Sequence, residues 1–260
     1  MIRLHRKDGK KPPNWLSTVG SALPDLAAYQ YEACRFERLR LNSGQRRDGF
    51  AQFAAHVLIR RNGKPAFPRC WSVAKDVLGE MSHWKCSYCE GEINSPTAGH
   101  VELFKPKSLF PSLAYEWKNY FMACAGCNVK KGDKWPDKGG YVRPDRGNPA
   151  RAFRFEMDGS IHSRRVDGNA QRTIDDFDLK RRVLVRRRRF HIRQMLEEVK
   201  DVRQVFDLDR ILGRRMARNI FKRVTEPGSV YSAALAECFR LSSASVCLQV
   251  GPSKRRRSQR

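Results

Sequence analysis

Apolar residues fall three and four apart along several stretches of this chain, the spacing that puts them on one face of a helix. An amphipathic helix is expected from about Leu26 to Leu41. Residues 46 to 62 predict another, because Phe50, Phe53, Ala54, Val57 and Leu58 recur at helical intervals, and Gly63-Lys64-Pro65 with Phe67-Pro68 then break it. A third runs near Ser72 to Met81. The clearest helix begins after Asp178, a good N-cap residue, and carries Ile192, Met195, Leu196 and Val199, then Val202, Val205 and Phe206. Further helices are expected near Leu208 to Val224, ahead of Pro227-Gly228, and from Ser229 to Phe239.

The middle of the chain changes period. Gly99-His100-Val101-Glu102-Leu103-Phe104 reads as a short strand stopped by Pro106, and Trp117 to Ala123 leads towards a short helix from about Asn128. Phe153-Arg154-Phe155 and Gly159-Ser160-Ile161 suggest a small hairpin. The expected class is α+β, mainly helical around a small strand–strand–helix core, with no internal repeats. The expected divisions are a basic arm at 1–13, a helical region at 14–82, the central core at 83–165, an arginine-rich helical region at 166–250 and a basic tail at 251–260.

Composition adds a partner class. The 260 residues include 52 Lys+Arg against 27 Asp+Glu, a net charge of +25, with 40% hydrophobic residues. That apolar share supplies a core and excludes wholesale disorder. The positive excess points to a polyanion, since Lys and Arg displace condensed counterions from phosphates. No window approaches the ~18 consecutive apolar residues of a membrane helix, and the first fifteen residues lack the apolar stretch of a signal peptide. A cytoplasmic, non-membrane protein is expected. Arg186, Arg187, Arg188 and Arg189 are consecutive inside the long helix. Stepping about 100° each, they span nearly the whole circumference, so at least one must face an interface, either a phosphate or an acidic surface.

Eight cysteines bring in metal chemistry. Cys86-x-x-Cys89 and Cys124-x-x-Cys127 are paired knuckles with 34 residues between them. Two such knuckles complete the four-sulfur shell that zinc prefers, and four thiolates leave no open position, so this Zn²⁺ is expected to be structural. Cys34, Cys70, Cys238 and Cys247 lack that spacing and read as small reduced apolar residues.

The knuckles enclose Gly99-x-Val101-Glu102-x-Phe104-x-Pro106-Lys107-Ser108 and Tyr115-Glu116-Trp117-Lys118-Asn119, and the second continues into Asn128-x-x-Lys131-Gly132. Together these resemble the HNH endonuclease superfamily and, more narrowly, the HNH subunit of Septu-type and retron-associated anti-phage systems. The resemblance covers the zinc core closely and Ala170–Ile174 and the arginine-rich helix more loosely. It implies a ββα-metal fold, cleavage of DNA, and action beside an ABC-type ATPase subunit. Its metal positions fall on Glu102 and Asn128, and its middle Asn, which orients the general base, falls on Asn119. A carboxylate and an amide oxygen are a sensible minimal shell for Mg²⁺ or Mn²⁺. Lys130 and Lys131 sit where a helix N-terminus and its charges hold a flanking phosphate.

The chain departs from that pattern at one position. The family has Glu-His-Phe where this chain has Glu102-Leu103-Phe104, and leucine cannot accept a proton. Either His100 substitutes from the same strand face as Glu102, or a histidine such as His83 or His162 folds in, or the site is inactive. Two other classes of function stand beside the nuclease: a non-catalytic zinc module that binds nucleic acid or docks on a partner, and a structural RNA-binding protein.

Overall fold

The computed structural model describes residues 12, 14–23, 26–38, 49–50, 52–55, 59–61, 64–67, 70–165 and 168–248. The expected arm and tail lie outside these residues, apart from Pro12. The chain divides into two compact units, Met1–Phe153 with Ser163–Leu179, and Arg154–His162 with Lys180–Arg260. The fold is mostly helical with two-stranded antiparallel sheets. No helix among the described residues is long and apolar enough to cross a membrane.

In the first unit, helices α1 (Trp15–Ala22) and α2 (Leu26–Arg38) precede a hairpin of β1 (Ile59–Arg61) and β2 (Lys64–Ala66). Helix α3 (Lys75–Met81) follows a 3₁₀ turn. Strand β3 (Gly99–Leu103) pairs with β4 (Tyr120–Cys124), with Gly99 opposite Cys124 and Glu102 opposite Phe121. Helix α4 (Ala125–Lys131) leaves β4 directly. Tyr120, Phe121, Met122 and Ala123 are all buried, so β4 is covered on both faces. Trp15 packs on Trp117 at 5.7 Å and on the edge of Tyr120 at 5.2 Å, which brings α1 to this sheet.

Later in the chain come β5 (Phe153–Phe155), β6 (Ile161–Ser163) and α5 (Asn169–Asp176). Helix α5 fixes the stretch beyond α4: Tyr141 donates to Asp176 at 2.8 Å and the Val142 amide donates to Thr173 at 2.9 Å.

The second unit takes most of the β5–β6 hairpin and the helices α6 (Arg182–Leu208), α7 (Arg210–Thr225), α8 (Ser232–Leu241) and α9 (Ser245–Leu248). Leu184, Ile192, Met195, Val199 and Val202 bury one stripe of α6, while Leu196, Val205 and Phe206 are half-buried. Gly159 has φ +87°, and a Cβ there would lie 2.3 Å from the Val185 carbonyl oxygen. The hairpin tip therefore touches the backbone of α6, and only glycine permits it.

Several expected elements shift. The predicted 46–62 helix is helical at 49–50 and 52–55, but Ile59–Arg61 is a strand. The register pairs Ile59 with Ala66 and Arg61 with Lys64, so backbone pairing between β1 and β2 outweighs the apolar period there. The second knuckle's helix begins at Ala125, three residues ahead of Asn128, with Cys124 at its N-cap position. Asp178 does not open the long helix, which starts at Arg182. It closes α5 instead, with φ +49°, while the amides of Asp178 and Leu179 donate to the carbonyls of Asp175 and Ile174 at 3.1 and 2.8 Å. That is a Schellman closure with aspartate at the left-handed position usually given to glycine or asparagine. Helix α5 is not among the expected elements: it is only eight residues long and buries just Ala170, Thr173 and Ile174, of which two are apolar.

Candidate metal centre and adjoining cavity

The two knuckles meet. The ligand atoms of Cys86, Cys89, Cys124 and Cys127 all lie within 4.8 Å of one another. The Cys89 and Cys124 sulfurs are 3.8 Å apart, far beyond a disulfide bond. Four sulfurs at zinc's ~2.3 Å bond length stand about 3.8 Å apart at the corners of a tetrahedron. The thiols present thus match a Zn²⁺ shell in type, number and spacing, and the four cysteines could hold that ion.

The local sequence explains how. Glu90, at φ +63°, reverses the chain after Cys89, and the Cys86 amide donates to the Gly91 carbonyl at 2.9 Å. The Ser87 amide donates to the Met122 carbonyl at 2.9 Å and ties this knuckle to β4. Burial pushes the Cys86 thiol well up, while hydrogen bonds from Cys127 and Cys86 pull Cys124 down. Sulfurs so crowded cannot all be thiolates without a cation among them.

Strand β3 and helix α4 present matched side chains to each other. His100 and Glu102 share one face of β3 by alternation, and Asn128 and Lys131 share one face of α4 at a three-residue spacing. His100 Nδ1 lies 3.2 Å from Asn128 Nδ2. Glu102 forms an ion pair with Lys131, and both are buried, at 4% and 1% side-chain exposure. Lys131 Nζ also donates to the Leu103 carbonyl at 2.7 Å and the Gly132 carbonyl at 3.3 Å. Burial raises the Glu102 carboxyl to about 7 although the Lys131 ammonium pulls it down.

A cavity of about 550 Å³ opens beside this face, lined by His100, Glu102, Leu103 and Asn128 and also by Trp71, Lys75 and Lys107. Among the described residues His100 is the only imidazole lining it. His83 is exposed and does not line it; His162 lies in the second unit, 3.4 Å from Glu156.

The remaining expected site residues are placed as follows. Asn119 is buried, and its amide serves the backbone: Oδ1 accepts from Lys105 N at 2.8 Å, and Nδ2 donates to the Lys105 and Leu113 carbonyls at 2.9 and 3.0 Å. Both its donors are used, so it holds the turn after Leu103 rather than an imidazole. Lys131 is no phosphate clamp, because its ammonium is spent inside. Lys130 is exposed but pairs with Asp178 at 3.2 Å. Arg188 is 2% exposed and donates to the Gly159 carbonyl at 2.7 Å, and Arg189 donates to the Asp158 carbonyl at 2.7 Å. Of the four arginines, Arg186 and Arg187 remain exposed. The interface required by their angular spread is the chain's own hairpin.

Sequence reasoning missed the cavity's cationic wall. Lys107 Nζ sits 4.4 Å over the Trp71 ring and 5.0 Å over Phe67, and Lys75 donates to the Thr97 carbonyl at 3.4 Å. Lys107 belonged to the quoted motif without a role; Trp71 and Lys75 carry no local signal, since only tertiary packing brings them to the cavity.

No family model matches the chain. The Septu protein PtuB of Bacillus thuringiensis is 36% identical to it over 77 residues, which are 29% of this chain and 30% of that protein's length.

Proposed function

We propose that the chain is a metal-dependent endonuclease of the HNH type, the DNA-cleaving subunit of a Septu-related anti-phage complex with an ABC-type ATPase, and that 83–165 is its catalytic core. The observation that carries this reading is the facing of His100 and Glu102 on β3 with Asn128 on α4, beside four clustered cysteines and a cation-lined cavity. The likeness to a Septu protein supports the setting in defence.

The residues divide the work by chemistry. The four cysteines would hold Zn²⁺ with a closed shell, so that ion fixes β4 and α4 and leaves the reaction to other groups. Asn128 directs Nδ2 at His100, which leaves Oδ1 as an acceptor on the same side chain. With the Glu102 carboxylate it forms an oxygen donor set of the kind Mg²⁺ or Mn²⁺ takes. When bound, such an ion neutralises charge on the scissile phosphate and leaving oxygen. While Asn128 Nδ2 donates to His100 Nδ1, the ring proton is on Nε2. His100 takes a proton from the attacking water, in place of the missing base at 103, with the Asn128 amide turned over. Oδ1 then accepts from Nδ1–H, keeps its second lone pair for a cation and leaves Nε2 free. Lys75 and Lys107 supply positive charge at the cavity for flanking phosphates. Lys131 balances the Glu102 carboxylate.

That last contact also favours a second reading. Glu102 already has its counter-charge in Lys131, and position 103 is leucine, as suits a zinc-stapled docking module without catalysis. Plasmid cleavage in Mg²⁺ or Mn²⁺, with and without the ATPase subunit, separates the two. The nuclease reading expects Glu102→Gln, which keeps a polar partner for the buried Lys131, to abolish nicking while zinc content holds and the protein remains folded. An unchanged function in that variant would instead establish the docking module.

A further inference from the structure

Helix α7 carries a row of cations that the described chain leaves unneutralised. Its sixteen residues include Arg210, Arg214, Arg215, Arg218, Lys222 and Arg223 and no acidic residue. At about 100° per residue, Arg214, Arg218, Lys222 and Arg215 fall within about 100° of one another around the axis. They lie opposite the buried stripe of Gly213, Ala217, Ile220 and Val224. All four are exposed. Among the described residues none of the four has an ion-pair or hydrogen-bond partner, whereas Arg223 pairs with Glu198.

Like charges set side by side in this way raise the energy of the free protein, and an anionic partner relieves it. The centre of a protein–protein interface is depleted in charge and built on aromatic or apolar anchors. Here the exposed apolar side chain on this face, Ile211, stands at the end of the row, one turn before Arg214, and the centre is cationic. Guanidinium forks match phosphate oxygens in pairs. From Arg214 to Lys222 the helix rises about 12 Å, the axial length of three to four phosphates on one strand of a duplex. The exposed face of α6 fits less well: Val183 and Phe190 interrupt it, and Glu197, Glu198, Asp201 and Asp207 follow.

We propose that the Arg214–Lys222 face of α7 grips the sugar-phosphate backbone of a nucleic-acid duplex, without reading its sequence. The inference rests on the reading of the chain as one that acts on nucleic acid, but not on the identity of its cleavage residues. The test uses the full zinc-loaded chain and a 30-base-pair DNA duplex (about three turns), with affinity measured by fluorescence anisotropy between about 50 and 200 mM salt. A variant with Arg214→Gln, Arg215→Gln, Arg218→Gln and Lys222→Gln keeps good helix formers at each position. A charge-matched variant replaces Arg182, Arg186, Arg187 and Arg193 with Gln on α6.

At about 0.9 per neutralised phosphate, the α7 variant is expected to lower the slope of log affinity against log salt by about 2 to 4. Its affinity at low salt should fall tenfold or more, with circular dichroism and melting temperature held, and the α6 variant should lose less. Equal loss in both variants would reduce the effect to net charge and overturn the proposal. An unchanged slope in the α7 variant, with the unmodified chain still binding, would also overturn it and assign the row to an acidic protein surface. No salt-dependent binding by the unmodified chain would overturn both this inference and the nucleic-acid reading on which it rests.

Discussion

Glu102 sets burial against charge within a single side chain. Its carboxyl is held at about 7 rather than 4.5 because desolvation outweighs the Lys131 ammonium. Between those values the folded state binds more protons than the unfolded one. Stability from this group is therefore highest below the ordinary value and falls as the pH rises to about 7. The full change is about 3 kcal/mol at most. Urea unfolding of the zinc-loaded chain without added magnesium should show this decline in the unmodified protein, and Glu102→Gln should flatten it. Parallel pH profiles for the two proteins would mean that Lys131 keeps the carboxylate ionised throughout. For the chemistry, His100→Ala should lower metal-dependent nicking by about 10²-fold or more, and Leu103→His should raise it, since a positioned base contributes about 10²–10⁴. Initial rates on supercoiled plasmid check both. The cysteine spacing was legible in the sequence because metal geometry constrains it directly, and alternation along a strand placed His100 beside Glu102. The burial of Lys131 and Arg188 was not legible. Charged side chains default to the surface unless paired, and both partners here, Glu102 and the Gly159 carbonyl, are distant in sequence.

Among the elements, the helices on strong apolar periods stand near their expected places, and the errors gather where a turn competes. Ile59–Arg61 pairs with Lys64–Ala66 as a hairpin where the apolar pattern predicts helix to residue 62, and Asp178 closes one helix instead of opening the next. The start of α7 shows the ordinary device: Asp209 Oδ1 accepts from the amides of Ile211 and Leu212 at 2.8 and 3.0 Å. Asp209→Ala should destabilise the second unit by about 1 kcal/mol, measured as a shift of the urea midpoint at constant slope. Gly159→Ala should cost more, about 1–3 kcal/mol, because the new methyl meets the α6 backbone and the left-handed φ is strained as well. A neutral outcome at Gly159 would show that the hairpin tip can draw back from the helix.

For the molecule as a whole, the four cysteines and the arginine-rich helices belong to different compact units, so loss of zinc should be felt unevenly. Chelation is expected to abolish amide protection across 99–131 while residues 192–202 of α6 keep theirs, read by hydrogen exchange with mass spectrometry. Uniform loss across both segments would make the ion a determinant of the entire fold. Within the first unit, Cys124 closes β4 and stands at the N-cap position of α4, so the corner between strand and helix is itself a coordinating residue. An ion held by the four cysteines would act as a pivot pin, its radius bearing on the angle at which Asn128 approaches His100. Exchanging zinc for the larger cadmium would then be a way to adjust the contact between His100 and Asn128 from the corner where the strand turns into the helix.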